Sequence, residues 1–182
     1  MIRYGMRRTR LWAVGLAVML ASCTPGSRSV GDPPAAVPLV LEQPATPFPQ
    51  AELTDENRAR LGELVTGFLV DATLNQDQPL APAPGTSDLI VPLQPGQDHR
   101  VDVTLAPGRW YRFLGACDYE CRNVDLELID AEGVVVIRDL YLNDFPSMDY
   151  MSETGGVFTL RLMMRTCVIA PCFAGARMVT QP

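Results

Sequence analysis

The 182-residue chain contains no lysine and a single histidine, His99, and it lacks the short motifs that mark common catalytic sites. Without lysine the chain cannot form Schiff bases or Ser-Lys pairs. One histidine is too few for a zinc site that uses several histidines. No GxSxG, P-loop or GxGxxG motif is present. We therefore predict a protein that is not an enzyme, with His99 exposed in a polar turn; hydrolysis by carboxylates is the catalytic alternative.

The N-terminus is basic and then apolar. Four arginines and no acidic residue precede the apolar run LWAVGLAVMLA, an order typical of an export signal. The run is shorter than the roughly 20 apolar residues that span a bilayer. It ends in LASC, residues 20–23, which resembles the lipobox of bacterial lipoproteins. The resemblance implies a lipoprotein signal peptide over residues 1–22, lipidation of Cys23, and outer-membrane sorting by Thr24.

The net charge of the chain without its predicted signal peptide limits the classes of partner that it can bind. Without residues 1–22 the chain has 11 basic and 21 acidic residues, a net charge of −10, which argues against binding to nucleic acid or anionic lipid. We expect an outer-membrane lipoprotein of a Gram-negative bacterium, facing the periplasm or the cell surface. Its lipid holds it to the membrane, and an envelope protein or polymer is the expected partner. The alternative is ordinary signal cleavage that leaves Cys23 as a free thiol, a liability in an oxidising compartment.

Two segments separate the signal from the β-rich part of the chain. Residues 23–50 contain seven prolines and no helical or strand period, which predicts a disordered, lipid-anchored linker. The segment 51–78 predicts an amphipathic α-helix from about residue 54 to residue 75, because Thr54 is a suitable N-cap and apolar residues then recur at helical spacing. Gly62 and Gly67 weaken this helix. We expect its apolar face to dock on the next domain; a partner or dimer helix is the alternative.

Residues 86–182 predict a mainly β domain. Short runs such as HRVDVTL, VDLELID and GGVFTLRLMM alternate apolar with polar residues, and Gly, Pro and Asp turns separate them. This pattern is typical of an antiparallel β-sandwich. About a hundred residues is a sensible size for one such core.

The same region resembles a known family. The string VTLAPGRWYRFLGACDYECRNVDLELIDAEGVVV, followed by DFPSM, GGVFTLRLMMRTC and PCFAGARM, is similar to the bacterial pre-peptidase C-terminal (PPC) domain over about residues 88–180. The resemblance implies a jelly-roll β-sandwich that is not itself catalytic, and some relatives bind calcium or extracellular polymers. Asn123 departs from the pattern where the first Asp of a DLDL strand is expected, and no protease domain precedes the module.

Four cysteines of the β domain form two close pairs, Cys117 with Cys121 and Cys167 with Cys172. Four cysteines allow three connectivities. We favour the local pairing, because each pair brackets a short segment at a predicted strand end; pairing between the two loops is the alternative. Neither CDYEC nor CVIAPC has the CxxC spacing of a redox dithiol. A four-cysteine zinc site would be unusual in spacing and is disfavoured in an oxidising compartment.

The acidic residues near the first cysteine pair give the one candidate metal site. Calcium binds six to eight oxygen ligands, mostly carboxylates and carbonyls. Asp118, Glu120 and Asp125 lie close in sequence and are the calcium candidates, although Asp125 also falls on the polar face of a predicted strand. The leading hypothesis is a non-catalytic, lipid-anchored interaction or scaffolding module without a cofactor. The alternative is a calcium-stabilised domain that binds an extracellular polymer or peptide.

Overall fold

The computed structural model describes residues 48–182, so the predicted signal peptide, Cys23 and most of the linker lie outside the described residues. The described part begins with one helix and continues with nine strands. They are α1 (Asp55–Leu74), β1 (Ala81–Pro82), β2 (Leu89–Leu93), β3 (Asp98–Leu105), β4 (Arg109–Cys117), β5 (Cys121–Ile129), β6 (Val135–Asp139), β7 (Ser147–Ser152), β8 (Gly156–Cys167) and β9 (Cys172–Thr180).

Helix α1 starts and ends at residues that cap its backbone. Thr54 has extended backbone angles, and its hydroxyl oxygen accepts a 3.2 Å hydrogen bond from the Asn57 amide. At the other end, the Asn75 amide donates to the Asp71 carbonyl oxygen. The helix predicted from about residue 54 to residue 75, within the segment 51–78, is therefore confirmed, and the capping residues Thr54 and Asn75 fix its ends.

The strands form two packed antiparallel sheets. The first has the order β2–β9–β4–β7, with the short strand β1 also paired to β9, and the second has the order β3–β8–β5–β6. From β2 onward each strand enters the opposite sheet from its predecessor, apart from the β5–β6 hairpin. This is the strand order of a jelly roll. The predicted mainly β, jelly-roll-like sandwich with a preceding amphipathic helix is confirmed.

The alternating residues of the strands fill the space between the two sheets. Apolar side chains of both sheets meet there and are fully or almost fully buried. They include Phe113, Leu126, Leu128, Leu162, Met164 and Met178. Burial of each such side chain stabilises the fold by about 1.5–3 kcal/mol relative to exposure.

Helix α1 covers the outer face of the first sheet and forms a second apolar cluster. Val65 and Leu69 are completely buried against side chains of β4 and β9. Gly175 of β9 permits this approach, since a Cβ atom there would lie 2.8 Å from the Val65 Cγ1 atom and 2.6 Å from the Ile90 Cδ1 atom. The predicted docking of the helix on the following domain is confirmed.

Three details of the strands differ from the sequence prediction. Strands β1, β2 and β7 were not predicted, and β1 begins at Ala81, before residue 86. His99 lies in strand β3, opposite Leu162, and not in a turn, although its side chain is exposed as expected.

Candidate functional site

Two disulfides lie side by side at one end of the sandwich. Cys117 and Cys121 join the end of β4 to the start of β5, and Cys167 and Cys172 join β8 to β9; each pair has a Cα–Cα distance of 5.9 Å. Cys121 and Cys167 face each other in the ladder between β5 and β8. These are the two local pairs that the sequence favours, and they fix the shape of neighbouring turns.

Asp118 lies inside the first disulfide turn and is buried there. Its carboxylate accepts hydrogen bonds from the backbone amides of Phe173, at 2.7 Å, and Glu120, at 3.2 Å. Burial raises the pKa of the Asp118 carboxyl above its ordinary value, and these amide donors partly oppose the shift. The side chain therefore ties the β4–β5 turn to β9 and does not point to solvent as a ligand.

The calcium candidates are not brought together. Asp118 is directed towards β9, whereas Asp125 lies on the outer face of the second sheet, where its carboxylate is paired with Arg165 at 2.5 Å. Among residues 48–182 no group of three or more His, Cys, Asp or Glu side chains is arranged to hold a metal ion. Asp118 and Glu120 share the β4–β5 turn, but Asp125 lies on the outer face of the second sheet, so the three candidates do not form a single site.

Acidic residues on the outer face of the second sheet are engaged by arginines. Asp125 and Glu127 occupy the polar face of β5, as the alternation predicts, but both are buried. Glu127 accepts from Arg161 at 3.1 Å, and Arg161 also donates to Asp98 at 3.0 Å. Arginines on β8 therefore cover this acidic row, which explains its burial in a mostly polar setting.

The end of the sandwich that carries the disulfides also exposes several large apolar side chains. Fourteen large apolar side chains are exposed in the described part of the chain, and eight of them lie in the β4–β5 turn, the β6–β7 loop, the β8–β9 turn and the adjoining start of the described chain. We call these residues the apolar end: Phe48, Tyr119, Leu140, Tyr141, Leu142, Phe145, Val168 and Ile169.

Contacts connect the β4–β5 turn to its neighbours, directly to the β8–β9 turn and through Phe68 of α1 to the β6–β7 loop. The Phe68 ring of α1 makes edge-to-face contacts with both Tyr119 and Phe145, with ring centroids 5.5 and 5.7 Å apart. On the other side, the Val168 amide donates to the Glu120 carbonyl oxygen at 2.8 Å. The β4–β5 turn therefore lies between the β6–β7 loop and the β8–β9 turn.

The incoming chain reaches the fold at this end as well. The Ala170 amide donates to the Pro49 carbonyl oxygen at 2.7 Å, and Ala51 donates back to Ala170 at the same distance. Gln50 and Gln94 also exchange side-chain hydrogen bonds. Phe48 therefore stands beside the β8–β9 turn, where the predicted linker joins the domain.

Hydrogen bonds hold the β6–β7 loop with its apolar side chains outward. The Asp139 carboxylate accepts from the amides of Tyr141 and Ser147, at 3.1 and 2.9 Å. The Asn143 carbonyl oxygen accepts from the Val124 amide at 3.1 Å. Leu142 is 89% exposed and Tyr141 77% exposed in this loop. A fixed loop that displays such side chains is typical of a binding surface.

Sequence reasoning missed the apolar end. The run LYLNDF, residues 140–145, contains four apolar residues and fits neither a strand nor a helix period. That mismatch was the available signal, because apolar residues in a loop have no core to enter.

A scan against protein-family models and a search of curated proteins both return no match. Within residues 48–182, no helix has the length and apolar character needed to cross a membrane.

Proposed function

We propose that this chain is a non-catalytic, lipid-anchored module of the bacterial cell envelope, whose PPC-like sandwich binds other envelope components. The observation that carries the proposal is the apolar end. Two of its turns are closed by disulfides, Asp139 holds its β6–β7 loop, and Phe48 places it where the linker joins the domain. Such a surface suits binding rather than bond-breaking chemistry.

The two disulfides support an oxidising compartment. Disulfides persist in oxidising compartments such as the periplasm and the cell surface. The signal-like N-terminus and the lipobox-like LASC segment support export and anchoring at Cys23. Several acyl chains anchor a protein stably, because each buried methylene contributes about 0.8 kcal/mol. Localisation at the outer membrane of a Gram-negative bacterium is part of this proposal.

The anchoring is tested by comparing the full chain with its Cys23→Ser variant in cells that export it. We expect the unmodified chain in the membrane fraction, with a fatty-acid label and an intact mass that fit acylated Cys23 and loss of residues 1–22. The Cys23→Ser variant should appear in the soluble fraction without label. Thr24→Ala is the matched control and should stay labelled and in the membrane fraction. Membrane association of the Cys23→Ser variant, or absence of label on Cys23, would contradict the proposal.

A further inference from the structure

The apolar end has a composition that suits the interface of a lipid bilayer. Tyr119 and Tyr141 combine an apolar ring with a polar hydroxyl, and such side chains favour the level of the headgroups. The most exposed of the aliphatic residues there, Leu142, lies next to Tyr141 in the same hydrogen-bonded loop. The Asp139 carboxylate holds the backbone of that loop through the Tyr141 and Ser147 amides, and the Tyr141 and Leu142 side chains face solvent.

The position of the apolar end agrees with this partner. The chain enters the domain at Phe48, beside Ala170, and only residues 24–47 separate this point from Cys23. If Cys23 carries the anchor, its lipid and the apolar end are joined by a short tether. Tethering raises the effective concentration of the second contact, so even a weak interaction with the bilayer surface becomes occupied.

The charges at this end select the kind of lipid surface. Glu120 and Asp144 are half-buried, and Asp118 is directed inward. The exposed Arg122 is engaged with the Tyr119 carbonyl oxygen at 2.7 Å. No cluster of basic side chains occurs in the three loops that form the apolar end, so attraction to anionic headgroups contributes little.

We infer that the apolar end is a second membrane contact, which inserts Tyr141, Leu142 and their neighbours into the headgroup region of a zwitterionic bilayer and holds the sandwich against the membrane. This inference rests on the proposed function, because the anchor at Cys23 supplies the proximity. Contact would be driven by burial of apolar area and not by charge. It would also orient the opposite end of the sandwich, with the β5–β6 turn, away from the membrane.

The test separates the loops from the anchor. The chain from residue 23 to 182 with Cys23→Ser, which carries neither an acyl group nor the apolar run of residues 11–21, is mixed with phosphatidylcholine vesicles, and co-flotation gives a partition coefficient. Replacing Tyr141 and Leu142 together by Ser in this background should lower the coefficient about tenfold. The matched control is Val134→Ser, since Val134 is 58% exposed in the β5–β6 turn and should leave the coefficient unchanged. Partitioning should be equal at about 0.1 M and about 0.5 M salt.

Three results would overturn the inference. The first is that the Cys23→Ser chain does not float with the vesicles at all, and the second is that Val134→Ser lowers the partition coefficient as much as the loop variant does. The third is that the Cys23→Ser chain self-associates without vesicles and the loop variant does not, which would identify a second copy as the partner of this surface. The melting temperature of each variant shows whether it is folded. Because all variants share the same N-terminus, a difference in partition coefficient between them is caused by the substituted loop residues. If the Cys23→Ser chain does not float but Cys23 of the unmodified chain is acylated in cells, only this inference is contradicted. The proposed lipid-anchored module would then still be supported.

Discussion

Arg165 and Asp125 form an ion pair in which only the carboxylate is buried. The Arg165 Nε atom lies 2.5 Å from the Asp125 Oδ2 atom, and the two side chains are 46% and 3% exposed. The other oxygen of Asp125, Oδ1, has no hydrogen-bond partner among the described residues. The carboxylate therefore depends on a single arginine that approaches it from solvent.

Removing that arginine should destabilise the domain strongly. Arg165→Ala leaves the Asp125 charge buried without a partner, which costs about 3 kcal/mol of unfolding free energy. Urea unfolding of the disulfide-intact protein measures this. Arg138→Ala is the control, because Arg138 is exposed and forms no ion pair with the described residues; its effect should stay within about 0.5 kcal/mol. A change below about 1 kcal/mol for Arg165→Ala would show that Asp125 does not need its partner.

The same pair shows where sequence reasoning succeeds and where it stops. The period of two in VDLELID places Asp125 on the polar face of β5, and this is confirmed because strand geometry forces alternation. Its burial depends on Arg165, which is 40 residues away in β8, and no local pattern contains that pairing. Local information therefore assigns the face of the sheet, while tertiary contacts decide the exposure.

The missed strands have a related cause. Strand β2 contains Pro92, which suits only an edge strand, and it lies at the edge of its sheet, paired with β9 alone. Strand β7, SMDYMS, is also an edge strand, and only Met148 and Ser152 of its six residues are buried. Edge strands need fewer apolar residues, so they leave a weaker signal than the central strands.

A side chain at position 175 should destabilise the protein, whereas a methyl group at position 67 should stabilise it. Gly175→Ala would place a Cβ atom 2.6 Å from Ile90 Cδ1 and 2.9 Å from the Leu89 carbonyl oxygen, so α1 or β2 must shift. We expect a loss of about 1–3 kcal/mol in unfolding free energy. Gly67→Ala meets nothing within 4 Å and removes a helix-weakening glycine, so it should stabilise by up to about 1 kcal/mol. Thermal unfolding of the two single variants measures both effects.

A lower melting temperature for Gly175→Ala together with a smaller increase for Gly67→Ala would support the close approach of the helix to β9. A Gly175→Ala variant as stable as the unmodified protein would mean that the helix does not pack on β9 as described. The Gly67→Ala variant is the control, because it measures the stability change caused by a methyl group that meets no neighbouring atom within 4 Å.

Calcium should not change the stability of the folded domain. The carboxylates of Asp118 and Asp125 are occupied by backbone amides and by Arg165, and they face different surfaces. A ligand at 100 times its dissociation constant would stabilise the fold by about 2.7 kcal/mol, a shift of several degrees. We expect a shift below about 1 °C when calcium replaces chelator in a thermal scan. A larger increase, lost in the Asp118→Asn variant, would restore the calcium-binding hypothesis for this turn.

The Asp118 carboxyl should make the free energy of unfolding depend on pH in the acidic range. Its pKa is raised in the folded protein above the ordinary value of 3.8, chiefly by burial, so the folded state holds the proton more tightly than the unfolded chain. The stabilisation from protonated Asp118 is therefore fully present below pH 3.8 and is lost as the pH rises through the raised pKa. Asp118→Asn cannot ionise, but its amide group can accept only one of the two backbone hydrogen bonds that Asp118 accepts.

We therefore expect Asp118→Asn to be about 1 kcal/mol less stable than the unmodified protein at low pH, because one buried amide loses its acceptor. The difference should shrink as the pH rises towards neutrality, since only the unmodified protein then bears the cost of a buried charge. Urea unfolding of both proteins across the acidic range measures the difference directly. Other carboxylates, such as Asp98, whose pKa is lowered by Arg161 and Arg100, titrate in both proteins and cancel. A difference that stays constant with pH would show that Asp118 does not titrate in this range.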